Sequence, residues 1–328
     1  MKLTVLIPTY RRAADLERCL DALKRQRRRP DQIIVVTRSD DDETRALFGR
    51  YNIKALPIEL VEAQTSGQVA ALNAGLEAAV GEVIAIIDDD TAPWLDWLER
   101  IERHFLRAPH LGGLGGRDMI RVEGFPGEGE TELVGHVQWF GRWIGQAHRG
   151  SGPPRQVDLL KGCNMSYRRE AIRSLRFDGR LRGSGAQWFN DAAFSLAVRR
   201  AGWEVVYDPA VRVDHYLGAR PTGDARASAT PAEVYDVVYN ETLVLLEHFP
   251  PFRRAVFLGF GVMVGTRRAP GLVQWIRVGL SGRRHSAAYQ VAAWKARVDA
   301  FRDFKRFHGA TGRELADRAD DEPQLVAL

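Results

Sequence analysis

The stretch Gly81-Glu82-Val83-Ile84-Ala85-Ile86-Ile87-Asp88-Asp89-Asp90 runs a fully apolar segment straight into three aspartates. Glu82 to Ile87 reads as a strand, too short for a helix and rich in β-branched residues. Three carboxylates then converge at its end, where mutual repulsion costs energy unless a cation relieves it. Hard oxygen ligands of this kind suit Mg²⁺ or Mn²⁺ bridging a diphosphate. A solvated acidic turn, capping a helix that starts near Pro93, is the plainer alternative.

Working back from this strand, the same alternation recurs. Leu3 to Ile7 is an apolar run closed by Pro8, and Ala13 to Gln26 follows with apolar residues at helical spacing. Gln32 to Val36 and Ala55 to Leu60 read as further strands. Asp41 to Arg50 and Gln68 to Ala79 read as the helices between them, the second ending at Gly81. Strand and helix thus alternate four times, which predicts an α/β fold with a mostly parallel sheet and helices on both faces. Ligands of such sheets sit beyond the carboxyl ends of the strands, where Pro8-Thr9-Tyr10, Thr37 to Asp42 and Asp88 to Asp90 fall.

Forward of the aspartates, Trp94 to Leu106 reads as a helix, and then the alternation degrades. Gly112 to Gly116 and the segment 121–155 are rich in Gly and Pro, which predicts a long irregular stretch and a mobile active-site loop. Val157 to Tyr167, Asp191 to Ala201 and Glu204 to Asp214 supply strand, helix and strand again, completing a first unit near Leu217. From Pro231 the pattern is helical, and the last dozen residues read as a disordered tail.

The 328 residues are 45% hydrophobic, enough for a substantial buried core. With 47 Lys and Arg against 42 Asp and Glu the net charge is +5, too mild to argue for nucleic acid. Cys19 and Cys163 are the only cysteines, which excludes a disulfide framework and a cysteine-based zinc cluster. Cys19 shares helical spacing with Leu16, Leu20 and Leu23, a core position. The N-terminal apolar stretch stops at Pro8 without a signal-type cleavage site, and the longest later run, Ala255 to Gly265, falls short of the roughly 18 residues that span a bilayer. The expected location is cytoplasmic, at most peripheral at the inner face of the cell membrane.

Four segments together carry a resemblance. Val5-Leu6-Ile7-Pro8-Thr9-Tyr10-Arg11-Arg12, Leu72-Asn73-Ala74-Gly75-Leu76 followed by Gly81 to Asp90, Lys161-Gly162-Cys163-Asn164-Met165-Ser166, and Asn190-Asp191-Ala192-Ala193-Phe194-Ser195-Leu196 resemble the family 2 glycosyltransferases in order and spacing. The resemblance covers roughly residues 1–220 and implies a GT-A fold. That catalytic domain would have a nucleotide-sugar half at about 1–110 and an acceptor half at 111–220, followed by a helical, basic region at 221–315 and a tail at 316–328. Position by position, Pro8, Thr9 and Tyr10 match the loop lining the nucleoside, Asp88 the acidic residue on the ribose or base side, and Asp90 the metal-binding aspartate. Gln68, Asn73, Asp89 and Asn164 complete the expected nucleotide-sugar contacts. Asn190-Asp191 stands where the family has Glu-Asp, whose Asp is the general base of inverting members. Asp191 is therefore the expected base, with an N-terminal helix residue complementing the helix dipole as the alternative.

His215 follows the strand ending Val211-Arg212-Val213-Asp214, and the resemblance makes it a candidate third metal ligand beside Asp90; a hydrogen-bonded structural histidine is the competing reading. Arg220, in a Gly- and Pro-containing loop, is a further candidate diphosphate contact. One departure concerns the base. The family carries Asp right after the second strand, whereas Val35-Val36 here runs into Thr37-Arg38-Ser39-Asp40-Asp41. Arg38 or Asp40 is expected to take over base recognition, which leaves UDP, GDP and dTDP sugars all open as donors.

From Pro251 to Phe307 there are 12 Lys or Arg against 2 Asp or Glu, a local charge of +10, so the rest of the chain is acidic on balance. Val256-Phe257-Leu258, Met263-Val264, Trp275-Ile276 and Trp294 interleave there with Arg253, Arg254, Arg267, Arg268, Arg277, Arg283 and Arg284. That mixture describes helices on an anionic membrane surface; helices packed on the catalytic domain with solvated arginines are the alternative. The sequence thus predicts inverting transfer of a sugar from a nucleotide donor, with Mg²⁺ or Mn²⁺, to a hydroxyl of a glycan or lipid-linked acceptor in cell-surface glycan synthesis. The competing functions are a sugar nucleotidyltransferase, disfavoured because Pro8-Thr9-Tyr10 replaces a Gly-rich phosphate loop, and a catalytically silent sugar- or glycan-binding module.

Overall fold

Strand β1 (Leu3–Pro8) is buried along almost its whole length, and α1 (Ala13–Lys24) packs back on it through Leu16, Cys19, Leu20 and Leu23. The computed structural model describes residues 1–51, 56–122, 129–183, 185–217, 230–266, 269, 271–280 and 287–320. It divides into two units, Met1–Ser228 and Ala229–Leu328.

In the first unit the chain continues through β2 (Gln32–Arg38), α2 (Asp42–Arg50), β3 (Ile58–Ala63), α3 (Gln68–Ala78), β4 (Val83–Ile87), β5 (Thr91–Pro93) and α4 (Trp97–Arg107). Then come β6 (Leu111–Ile120), a small hairpin of β7 (His136–Val137) and β8 (Trp143–Ile144), β9 (Arg155–Gln156), β10 (Asn164–Arg168), α5 (Asn190–Arg200) and β11 (Glu204–His215). The main sheet has the order β3-β2-β1-β4-β10-β6-β11-β5, with β9 added to β11. Its first four strands are mutually parallel, β10 enters antiparallel between β4 and β6, and β11 runs parallel to β6.

Because side chains alternate across a strand, Leu3, Val5 and Ile7 join Leu20, Leu47, Trp97 and Phe105 in one core. Leu6 and Ile34 join Leu72, Phe194 and Val198 in the other. Helices α1, α2 and α4 cover the first face of the sheet and α3 and α5 the second, the α/β arrangement expected from the alternation.

The Gly-rich stretch is a correction. Leu111–Ile120 is not irregular but a ten-residue strand, mostly buried. Its glycines serve close packing: a Cβ on Gly116 would lie 1.7 Å from the Val211 carbonyl oxygen, and one on Gly112 would lie 2.4 Å from the Trp203 Cβ. Within 121–155, residues 123–128 lie outside the described residues, while 129–155 carries the β7–β8 hairpin and a turn of 3₁₀ helix at Ala147–Arg149.

The second unit contains α6 (Pro231–His248), α7 (Pro251–Met263), α8 (Leu272–Leu280) and α9 (Ala287–Asp320). A capping box starts α6: Glu233 N–H donates to the Thr230 hydroxyl, and Thr230 N–H donates to the Glu233 carboxylate. Helices α6 and α9 pair through Tyr235 and Tyr239, whose hydroxyls donate to Asp299 and Asp303 at 2.8 and 2.7 Å. Residues 316–320, expected in the tail, continue α9; residues 321–328 lie outside the described residues. Among the described residues no helix is long and apolar enough to cross a membrane.

Candidate active site

The carboxyl ends of β1, β2 and β4, with the start of α5 and the end of β11, enclose a cavity of about 450 Å³. Pro8, Thr9, Tyr10, Arg38, Gln68, Asp88, Asp89, Asp90, Asp191 and His215 all line it, so ten of the sequence-derived candidates share one site. Arg12, Lys161, Cys163, Trp188, Phe189 and Asn190 line it as well.

The acidic triplet divides by environment. Asp89 and Asp90 are buried and Asp88 is half-buried. Asp89 accepts from the Thr9 hydroxyl at 2.8 Å and from Arg12 Nη1 at 2.7 Å, and Arg12 Nη2 donates to Asp90 Oδ2 at 2.7 Å. Arg12 therefore bridges two neighbouring carboxylates, a role its position in the motif did not reveal. Burial pushes Asp89 above the usual carboxylate range against the pull of Arg12. At Asp90 the same burial is outweighed by His215 and Arg12, which hold it below that range.

His215 is buried at the end of β11 with Nε2 3.4 Å from Asp90 Oδ1 and Nδ1 3.2 Å from Asp118 Oδ2. Burial alone would lower its pKa, but Cys163, Asp118 and Asp90 beside it outweigh burial and raise it. One ligand atom from each of Asp88, Asp90 and His215 lies within 4.8 Å of the others. Two carboxylates and an imidazole at that spacing fit a divalent cation that accepts oxygen and nitrogen donors.

Just beyond the end of β1, Tyr10 is flanked by guanidinium groups, Arg11 at 5.0 Å and Arg38 at 4.6 Å from the ring centre. Its hydroxyl donates to Asp40 at 2.9 Å, and Asp40 is ion-paired with Arg38 at 3.0 Å. Asp40 thus holds Tyr10 and Arg38 without itself lining the cavity. Asp41, next along, is fully buried and caps α2, accepting from Arg11 N–H, Thr44 N–H and the hydroxyls of Thr37 and Thr44.

Asp191 stands in the first turn of α5, behind Phe189 in a left-handed conformation (φ 70°) that turns the chain into the cavity wall. Its Oδ2 accepts from Gly162 N–H at 2.9 Å and its Oδ1 from Ala192 N–H at 2.8 Å. Burial raises its pKa, against those two donors and the nearby Lys161 ammonium. A raised carboxylate is a stronger base, which suits proton abstraction from a hydroxyl.

Like Asp40, two further candidates do not line the cavity. Asn73 exchanges hydrogen bonds with the Phe177 backbone in both directions at 2.9 Å and tethers α3. Asn164, 1% exposed, accepts from Trp97 Nε1 and donates to the Val211 carbonyl, both at 2.9 Å. Neither lines the cavity, because each spends its amide on the scaffold. Arg220 lies outside the described residues.

Solved structures of other proteins share the fold. A mannosyltransferase from Pyrobaculum calidifontis, PcManGT, in complex with GDP-Man and Mn²⁺, matches with TM-score 0.53 and 17% identity over 90% of this chain and 87% of that one. S. aureus TarS 1–349 in complex with UDP-GlcNAc matches with TM-score 0.54 and 17% identity over 95% and 92%. Among curated proteins, glycosyltransferase AglE of Haloferax volcanii is 31% identical over 100 residues, 30% of this chain and only 33% of the relative. The glucosyl-dolichyl phosphate glucuronosyltransferase of the same organism is 23% identical over 233 residues, 66% of this chain and 70% of the relative. Residues 4–176, just over half of the chain, match the family model described as glycosyl transferase family 2, and the protein belongs to that family.

Proposed function

We propose that this family 2 glycosyltransferase moves a sugar from a nucleoside diphosphate sugar to a hydroxyl with inversion at the transferred carbon. One observation carries the reading: Asp191, with its raised pKa, and the group Asp88, Asp90 and His215 line the same cavity. Asp88, Asp90 and His215 would hold Mg²⁺ or Mn²⁺, which when bound offsets charge on the departing diphosphate. Asp191 takes the acceptor proton, and its two backbone donors keep the carboxylate oriented while it does so. Tyr10 and Arg38, held together by Asp40, offer a ring and a guanidinium group to the nucleoside. Pro8, Thr9, Gln68 and Asp89 complete that wall.

The donor is a UDP, GDP or dTDP sugar; complexes of the structural neighbours with GDP-Man and UDP-GlcNAc support this class. The acceptor is a glycan or lipid-linked hydroxyl, a choice supported by the dolichyl phosphate in the name of one relative. The basic second unit adds support for work at an anionic membrane surface at the inner face of the cell membrane. Met263, Leu272, Val273, Trp275 and Ile276 are all exposed there, close in sequence to the arginines. Of these arginines, Arg267, Arg268, Arg283 and Arg284 lie outside the described residues. The deciding experiment incubates the protein with a panel of UDP, GDP and dTDP sugars, with and without Mn²⁺, and follows thermal stabilisation and release of nucleoside diphosphate. Stabilisation by one donor class, stronger with the cation and accompanied by turnover, is expected; binding of a donor with no turnover against a broad acceptor panel would favour the silent binding module.

A further inference from the structure

We infer that Asp118, a residue of β6 that belongs to none of the family motifs quoted above, is a positioning residue that fixes the imidazole of His215. The inference rests on the reading of His215 as a cation ligand. Asp118 is fully buried, a costly place for a carboxylate unless it is paired. Its Oδ2 faces His215 Nδ1 at 3.2 Å and also takes the Lys161 ammonium, whose side chain reaches the cavity wall. With Nδ1 held by Asp118, the ring turns Nε2 toward Asp90, where the 3.4 Å separation is found.

The backbone contains a device that produces this meeting. Along β6 and β11 the register pairs Gly116 with Asp208 and then Arg117 with Arg212, so β11 takes three extra residues, 209–211, at an irregularity. After it Asp118 pairs with Val213 and Ile120 with His215. Had the earlier register continued, His215 would fall beyond the end of β6, out of reach of Asp118. Irregularities of this kind re-aim side chains near functional sites. A carboxylate or carbonyl holding the second nitrogen of a ligating histidine sets its tautomer and direction, and its loss typically weakens metal binding about 10- to 100-fold.

The test is a double-mutant cycle on the full chain with Mn²⁺ alone as probe, affinity being read by electron paramagnetic resonance of the free ion. Asp118→Asn should weaken Mn²⁺ about 10- to 100-fold in the wild-type background and have little further effect in His215→Ala, because its influence passes through the imidazole. Melting curves on the same samples check that each variant folds. If Asp118→Asn does not fold, Asp118→Glu keeps the charge facing Lys161, displaces the carboxylate by one methylene, and closes the same cycle. An equal loss in both backgrounds, or none in the wild type, overturns the inference and leaves the cation reading standing. Unchanged Mn²⁺ affinity in His215→Ala alone removes the cation reading, and the inference with it.

Discussion

Asp191 Oδ2 and Gly162 N–H are joined by a 2.9 Å hydrogen bond across 29 residues of sequence, tying the start of α5 to the loop that precedes β10. The bond orients the carboxylate without neutralising it. Asp191→Asn should therefore leave donor affinity nearly unchanged and reduce turnover by about 10² to 10⁴, the usual worth of a general base. Single-turnover rates and calorimetric donor affinity on one sample check this. A fully active but less stable variant would identify Asp191 as a structural cap instead.

The raised pKa of Asp191 also gives the activity a pH signature. Burial disfavours its charged form, and only the charged form accepts a proton. The rate should fall as pH drops through this raised pKa, so the acid limb of kcat/KM lies above the value of about 4 for an unperturbed aspartate. A limb at or below the unperturbed value would assign the base elsewhere.

Asp90 contributes a carboxylate held ionised by His215 and Arg12. Asp90→Ala should abolish the Mn²⁺-dependent part of nucleotide-sugar binding, and exhaustive chelation of the wild type should do the same. Calorimetry with GDP-mannose and UDP-GlcNAc reads both effects. Equal donor affinity before and after chelation would mean that Arg12 and Lys161 suffice as counter-charges.

Asp41 makes a prediction about stability. Burial alone would raise its pKa, but the donors from Arg11, Thr44 and Thr37 outweigh burial and lower it. Its depressed folded pKa means that its stabilisation is present above the unfolded value of about 3.9 and is lost as pH falls through the folded value. Asp41→Ala should cost about 2 kcal/mol near neutral pH, the upper end for a lost helix cap. The deficit should shrink in acid. The Arg11 backbone, left-handed at φ 53°, is anchored by the same carboxylate, so the variant should also weaken donor binding. Urea denaturation at neutral pH and near pH 3 measures the difference.

The exposed apolar residues of α7 and α8 lead to a partitioning experiment. The full chain should sediment with phosphatidylglycerol vesicles and release as salt rises, because screening weakens its attraction to the anionic surface. Replacing Trp275 and Ile276, both about half exposed, with Ser should lower the bound fraction. Equal partitioning onto neutral vesicles, or none onto either kind, counts against a membrane role.

What could be read in advance was what lies close together along the chain. Runs such as Val83–Ile87 declare a buried strand by composition, and the residues at its carboxyl end follow from the sheet rule, so Asp88 to Asp90 and Thr9 were legible. Asp191 and His215 came from motif position. Arg12 was quoted in a motif but gave no sign that it would bridge Asp89 and Asp90, since that pairing spans 77 and 78 residues. Asp118 was hidden in a Gly-rich stretch that reads as loop, because the close contacts with Val211 and Trp203 that require glycine are invisible in one dimension. Asn73 and Asn164 misled for the opposite reason. An amide in a motif can serve the scaffold as readily as the ligand, and only its partners distinguish the two uses.

Strand β10 has a consequence for how the chain is made. It fills the place between β4 and β6, so until Arg168 has been synthesised β4 has a partner on one side only. The intervening chain from Ile87 is roughly 80 residues, or about 4 to 16 s at 5–20 residues per second. Throughout that interval the nascent protein carries an open, wholly apolar edge, the kind that pairs with strangers. Synthesis slowed between these two strands should raise the aggregated fraction, and synthesis slowed after Arg168 should not.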